Sequence, residues 1–310
     1  MMTRRELGKA AMAALPAATL RAAANSKFGG VQIGAITYSF RALPSTAQDV
    51  LKFCVELGLS SIELMSDPAE SFAGAPAPPK FPASAGREMT PERREAMQKF
   101  ADERKKWRLS ASMGKYKEFR KLYNDAGVKI DIFKLPLEAS MSDDEYEYIC
   151  TVAKTLGANC ITMELPTKAE HSKRVGEYAT KHKIFIGYHN HTHVDAHSWD
   201  VALSQSKYNS INLDVGHFTE AINGSPIPFI KEHHDRITSF HLKDKKFGTK
   251  GGGNAPWGQG DTPLKEVLQL MKKEKYEWPA NIELEYEVPA GSSVLAEMKT
   301  CVKFCQDALA

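Results

Sequence analysis

At 310 residues, with 42% hydrophobic and 25% charged residues, the chain is long enough to bury a large core and has the balance of an ordinary globular protein, which excludes wholesale disorder. Its formal charge is only +3. So small a net charge argues against nucleic acid as the main partner while leaving room for a local basic patch, and no stretch approaches the ~20 apolar residues of a membrane span.

The chain opens "MMTRRELGKAAMAALPAATLRAAANSK": paired Arg4 and Arg5, a weakly apolar alanine-rich run, then small residues. That order predicts an export signal of the twin-arginine class over residues 1–27, and therefore a periplasmic protein. An amphipathic N-terminal helix on a cytoplasmic protein is the alternative. Cleavage after Ala24 would remove Arg4, Arg5, Lys9 and Arg21 against Glu6, leaving basic and acidic residues in balance. The rest, 28–310, is expected to be one catalytic domain without stable membrane association, which could form a homo-oligomer. Cys54, Cys150, Cys160, Cys301 and Cys305 make no C-x-x-C pair and lie mostly in apolar patterns, so buried free thiols are expected.

In chain order, short β-branched runs alternate with amphipathic stretches. Strands are predicted at "VQIGAITYSF" (31–40), "SSIELM" (60–65), "VKIDIFKLPL" (128–137), "NCITMEL" (159–165), "IFIGYHNH" (184–191), "INLDVGH" (211–217), "ITSFHLKD" (237–244) and "NIELEYE" (281–287). Helical stretches such as "TAQDVLKFCVELG" and "SDDEYEYICTVAKTLG" begin at Ser or Thr and stop at Gly, as capping favours. Eight such units predict a (β/α)8 TIM barrel rather than an open doubly wound sheet, and no Gly-x-Gly-x-x-Gly follows the first strand.

Two connections are long: 66–90, rich in Pro, Ala and Gly, and the glycine-rich 245–261 around Trp257. Both follow strands and so belong at the C-terminal mouth, where barrel enzymes build their sites. They are expected to act as lids, with solvated linkers as the alternative.

Several strands end in a polar residue: Glu164 in "ITMEL", His189 and His191 in "YHNH", Asp214 and His217 in "LDVGH", His241 in "FHLKD", Glu283 and Glu285 in "IELEYE". Carboxylates inside apolar runs are costly to bury unless paired, protonated or bound to a cation. Several converging with imidazoles predict a divalent metal. Glu164, Asp214, His241 and Glu283 offer three oxygens and one nitrogen, a set suited to Mn2+ first, then Mg2+ or Co2+, with Zn2+ tolerable.

The ordered motifs "ITMEL", "YHNH", "LDVGH", "HLKD" and "NIELEYE" resemble the xylose-isomerase-like TIM-barrel superfamily, in particular its sugar phosphate isomerase/epimerase branch, over roughly residues 30–310. The resemblance implies metal ligands at Glu164, Asp214, His241 and Glu283, with Glu285 as the alternative to Glu283. It implies an acid/base pair of Glu164 and Glu283, a substrate-contacting His217, and pocket residues at His189 and His191. Lys243 is a further candidate for orienting substrate oxygens, and Trp257 for lining the pocket. The implied chemistry is isomerisation or epimerisation of a ketose or keto-sugar, by proton transfer through a metal-bound enediolate. A metal-dependent lyase or dehydratase acting on keto-sugars or 3-keto-glycosides is the alternative, and an export signal would favour it. An endonuclease IV-like phosphodiesterase would need extra histidines on the second and third strands, which carry none. A non-catalytic sugar-binding protein would not need both Glu164 and Glu283.

Overall fold

The computed structural model describes residues 25–81 and 89–310, so most of the expected export signal, residues 1–24, lies outside the described residues. Its strands are β1 (Lys27–Phe28), β2 (Val31–Ile36), β3 (Ser61–Met65), β4 (Lys129–Lys134), β5 (Cys160–Glu164), β6 (Phe185–His189), β7 (Asn209–Asp214), β8 (Ile237–Leu242), β9 (Asp244–Lys245), β10 (Asn254–Ala255) and β11 (Ala280–Ile282). Neighbours run β2-β11-β8-β7-β6-β5-β4-β3, all parallel, and β2 pairs with β3, closing an eight-stranded barrel. β1 folds back on β2 as an antiparallel hairpin.

Apolar residues face the outer helices along every strand: Ile161 and Met163, Ile186 and Tyr188, Ile211 and Leu213, Phe240 and Leu242 are all buried. Because side chains alternate across a strand, the intervening positions point inward. Thr162 and Glu164, Gly187 and His189, Asn212 and Asp214, Ser239 and His241, and Asn281 and Glu283 thus form two stacked polar layers. Register aligns the upper one, pairing Glu164 with His189 and Asp214 with His241.

The helices are α1 (Ala47–Leu57), α2 (Ser66–Phe72), α3 (Pro91–Ser110), α4 (Met113–Asp125), α5 (Asp143–Leu156), α6 (Ala169–His182), α7 (Asp200–Gln205), α8 (Val215–Ile222), α9 (Ile227–Glu232), α10 (Leu264–Glu274) and α11 (Val294–Leu309). Capping boxes start α1 at Thr46 and α5 at Ser142, and both helices end at glycines, Gly58 and Gly157, with φ of 71° and 85°. A side chain would strain at those angles.

Several strands end earlier than the sequence predicts, the third barrel strand at Lys134 and not at 137, the fifth at His189 and not at 191. The first strand ends at Ile36 and turns into a 3-10 helix, Thr37–Phe40. The sixth barrel strand stops at Asp214 because its carboxylate accepts the His217 backbone N–H at 2.7 Å and caps α8, so His217 lies on the first turn of a helix. The last strand ends at Ile282, beyond which the Leu284 N–H donates to Ser39 Oγ at 3.0 Å instead of to a neighbouring strand.

Neither long connection is a plain loop. Residues 66–90 begin with α2, whose buried Glu70 accepts from Arg104, Arg108 Nε (2.8 Å) and Tyr148 OH (3.0 Å), tying α2 to α3 and α5; residues 82–88 lie outside the described part. The glycine-rich segment forms a β9–β10 ribbon closed on Asp244, which accepts the N–H groups of Gly258 (2.8 Å), Gly260 (3.0 Å) and Thr262 (3.2 Å). A Cβ on Gly260 would sit 2.1 Å from Asp244 Oδ1, so only glycine allows this approach. All five cysteines are buried and free, and no helix among the described residues is long and apolar enough to cross a membrane.

Candidate active site

Four buried residues of the upper layer, His189, Asp214, His241 and Glu283, offer ligand atoms that all lie within 4.8 Å of one another. Three of the predicted metal ligands are therefore brought together, while the fourth position of the group is taken by His189 and not by Glu164. The reason is depth. Glu164 is the last residue of β5 and leaves 52% of its side chain exposed, with Oε2 3.0 Å from His191 Nε2 and Oε1 3.4 Å from Lys134 Nζ. It forms a second, shallower group with His189 and His191. Glu285 does not join the buried four; it binds the Lys243 ammonium.

Hydrogen bonds fix both imidazoles of the buried group. His189 Nδ1 pairs with Asn212 Oδ1 at 2.9 Å, which leaves Nε2 as the free nitrogen. His241 Nε2 lies 2.8 Å from Glu63 Oε2, which leaves Nδ1 facing Glu283 Oε2 at 2.9 Å. Asp214 Oδ2, His241 Nδ1 and Glu283 Oε2 are buried without a hydrogen-bond partner. Charged atoms stand near them, Lys243 Nζ lying 2.9 Å from both carboxylate oxygens, but none points along a hydrogen bond. Buried polar atoms without directed partners, clustered at one point, suit a cation, which asks for closeness and not for donor angles.

Charge is strongly perturbed here. Burial holds the His189 imidazole well below its ordinary value, with His241 adding to the effect, so it is neutral. Burial also lowers His217, to about 3, helped by Lys243. Burial opposes charge on His241, but Glu63 and Glu283 outweigh it and push its pKa up to about 10. For Glu283 the neighbouring His241 and Lys243 overcome burial and hold the carboxyl well below its usual range. Asp214 is raised by burial, with Lys243 offsetting part of that.

Lys243 is itself buried, and its Nζ stands 3.2 Å from His217 Nε2 as well as beside Asp214, Glu283 and Glu285. Outside this floor a cleft of about 500 Å3 opens between Glu164, Thr167, His189, His191, His193 and Ser198. The expected pocket residues His189 and His191 line it. Trp257 does not; its ring packs edge-on against Phe304 of α11, centroids 5.4 Å apart, because the ribbon folds outward onto the C-terminal helix. A second cleft of about 470 Å3, at the opposite end of the barrel around Lys129, Asp131 and Trp278, holds none of the clustered donors.

Two residues escaped the sequence reading. Glu63 stands inside the apolar run "SSIELM", and Lys134 ends the run "KIDIFK". The burial-cost reasoning that singled out Glu164 applied equally to Glu63.

A family model described as xylose isomerase-like TIM barrel matches residues 20–303. No curated protein matches the chain by sequence. Among solved structures, the probable 3-DHS dehydratase AsbF of Bacillus anthracis, involved in petrobactin synthesis, is 17% identical, with a TM-score of 0.62 over 88% of this chain and 98% of that one. A sugar phosphate isomerase/epimerase from Parabacteroides distasonis is 16% identical, with a TM-score of 0.60 over 89% and 96% of the two chains. An L-ribulose 3-epimerase is 12% identical, with a TM-score of 0.60 over 90% and 94%. At these identities the likeness establishes the fold and no more.

Proposed function

The chain belongs to the xylose isomerase-like TIM-barrel family, and on that footing we propose that it is a divalent-metal-dependent isomerase or epimerase of a ketose or keto-sugar. The observation that carries this reading is the meeting of His189, Asp214, His241 and Glu283 at one buried point, with the exposed carboxylate of Glu164 next to it. Two imidazoles and two carboxylates would hold the ion. They favour Mn2+, Co2+ or Zn2+ over Mg2+, which prefers oxygen throughout. Such an ion supplies Lewis-acid polarisation of a substrate carbonyl.

The chain's own groups supply the proton transfers. Glu164, held ionised by His191 and Lys134 against the pull of partial burial, takes a proton from the carbon beside the carbonyl. Delivered back by Glu164 to the neighbouring carbon, that proton gives isomerisation; epimerisation needs a proton on the opposite face of the same carbon, which Glu283, a carboxylate at rest, takes from water and passes on, Glu164 releasing its own to water to close the cycle. Lys243 and neutral His217, 3.2 Å apart beside the cluster, orient substrate oxygens.

A second reading, elimination from a keto-sugar or 3-keto-glycoside, is favoured by one feature: His191, raised by its hydrogen bond to Glu164, can protonate a departing oxygen at the rim. The solved dehydratase of the same fold is in keeping with it.

Metal analysis of the purified protein, followed by a screen of keto-sugars and 3-keto-glycosides in D2O, tests both. Label entering recovered substrate or its epimer supports proton transfer, and release of the aglycone supports elimination. A metal-loaded protein that neither exchanges label nor converts any of them is a binder, and the enzymatic proposal falls.

A further inference from the structure

Beneath the site, on the side away from the mouth, Glu63 of β3 is completely buried. Side chains from three other strands converge on its carboxylate. Oε2 lies 2.8 Å from His241 Nε2 on β8 and accepts from Asn281 Nδ2 on β11 at 3.1 Å, while Oε1 accepts from Thr162 Oγ1 on β5 at 2.6 Å. The room for Asn281 comes from β2: a Cβ on Gly34 would stand 2.3 Å from Asn281 Oδ1. Burying a carboxylate in a barrel core is expensive, and here two neutral donors and an imidazole are aimed at it.

Glu63 only accepts, so Nε2 keeps a proton; Nδ1 also stands 2.9 Å from a carboxylate, Glu283 Oε2, and would give up its own proton only to an ion. The ring is thereby turned so that Nδ1 faces Asp214 and Glu283, where it has no hydrogen-bond partner. We propose that Glu63 is a positioning residue for the cation site: it fixes the tautomer and the ring orientation of His241 and makes Nδ1 a better donor. Resting on the metal reading above, this extends it to a residue that never touches ion or substrate. It also gives the lower polar layer of the barrel a task, since Thr162 and Asn281 hold Glu63 as Glu63 holds His241.

The test is Mn2+ titration of the purified full chain, with free Mn2+ read by electron paramagnetic resonance, comparing wild type, Glu63→Gln and Thr162→Val. Loss of such an outer acceptor costs about 10- to 100-fold in metal affinity, so Glu63→Gln should raise the Kd by that factor. Thr162→Val removes one brace and should cost only a few-fold, in line with one hydrogen bond. A tautomer readout separates positioning from plain structural support. In long-range 1H–15N spectra of the Zn2+-loaded protein, assigned with His241→Gln, wild-type His241 should show a single Nε2–H form and Glu63→Gln a mixture. If Glu63→Gln does not fold, Glu63→Asp, which draws the carboxylate back from the ring, should weaken Mn2+ in the same direction. A wild type that binds Mn2+ no better than its Glu63 variants, with the tautomer unchanged, overturns the role of Glu63 and leaves the metal reading standing. A wild type that binds neither Mn2+ nor Zn2+ overturns both.

Discussion

His241 and Glu164 stand at the C-terminal ends of two strands of the same barrel, the first one residue short of the end, yet the first side chain is fully buried and the second is 52% exposed. The floor around His241 is held by register and by a second layer of polar side chains, each with one fixed partner: Asn212 for His189, Glu63 for His241. The rim around Glu164 is held by ion pairs to His191 and Lys134, which water screens. A rigid floor suits binding an ion at one point. A carboxylate with looser partners suits moving a proton to and from a substrate.

The largest expected effect separates those two tasks. Glu164→Gln should lower turnover on any substrate the wild type converts by about 10^2- to 10^4-fold, the usual worth of a positioned acid or base, with bound metal retained. Elemental analysis beside kinetics checks it. Loss of metal in proportion to activity would place Glu164 among the ligands and merge rim with floor.

Next comes the floor's own charge. Lys243→Met leaves Asp214, Glu283 and Glu285 facing one another without their common cation. Breaking a buried pair by removing one partner costs about 3–5 kcal/mol, so urea unfolding of the metal-free variant should show a loss of that order, and added Mn2+ should recover part of it. A variant as stable as wild type would mean that the three acids do not depend on Lys243.

The smallest effect belongs to the rim. Glu164 sits below its ordinary 4.5, His191 and Lys134 outweighing burial, and His191 sits above its ordinary 6.5, its hydrogen bond to Glu164 outweighing burial. The raised imidazole contributes stability below 6.5, lost as pH climbs through its folded value; the depressed carboxyl contributes above 4.5, lost as pH falls through its own. Both are at full strength between those pH values. For an exposed pair the sum is only about 0–1 kcal/mol, so the sharper measurement is the pH–rate profile. His191→Asn should move the acid limb up toward 4.5, and an unmoved limb would remove His191 from the control of Glu164.

Much of this was legible beforehand because burying charge is expensive. An acid or imidazole closing an apolar run stands out, and Asp214, His241 and Glu283 were found that way. Depth along the barrel axis is not encoded in such a run. Glu164 and His189 are register partners at the ends of adjacent strands, and only the folded chain shows the imidazole buried in the floor and the carboxylate turned out to the rim. His217 read as strand because nothing in "LDVGH" announces that Asp214 turns its carboxylate back to cap a helix. Trp257 read as pocket because the sequence does not say which way a glycine-rich ribbon folds, and α11 supplies the apolar partner that draws it outward.

The linear chain determined the eight-fold alternation and the supply of acids and imidazoles at the barrel's open end, since periodicity and burial cost are local properties of a run of residues. The tertiary structure decided which of those groups share a point and which carboxylate stands behind which ring. Residues as far apart as Glu63 and Asn281 touch only when the sheet closes, and no local pattern encodes the closing register.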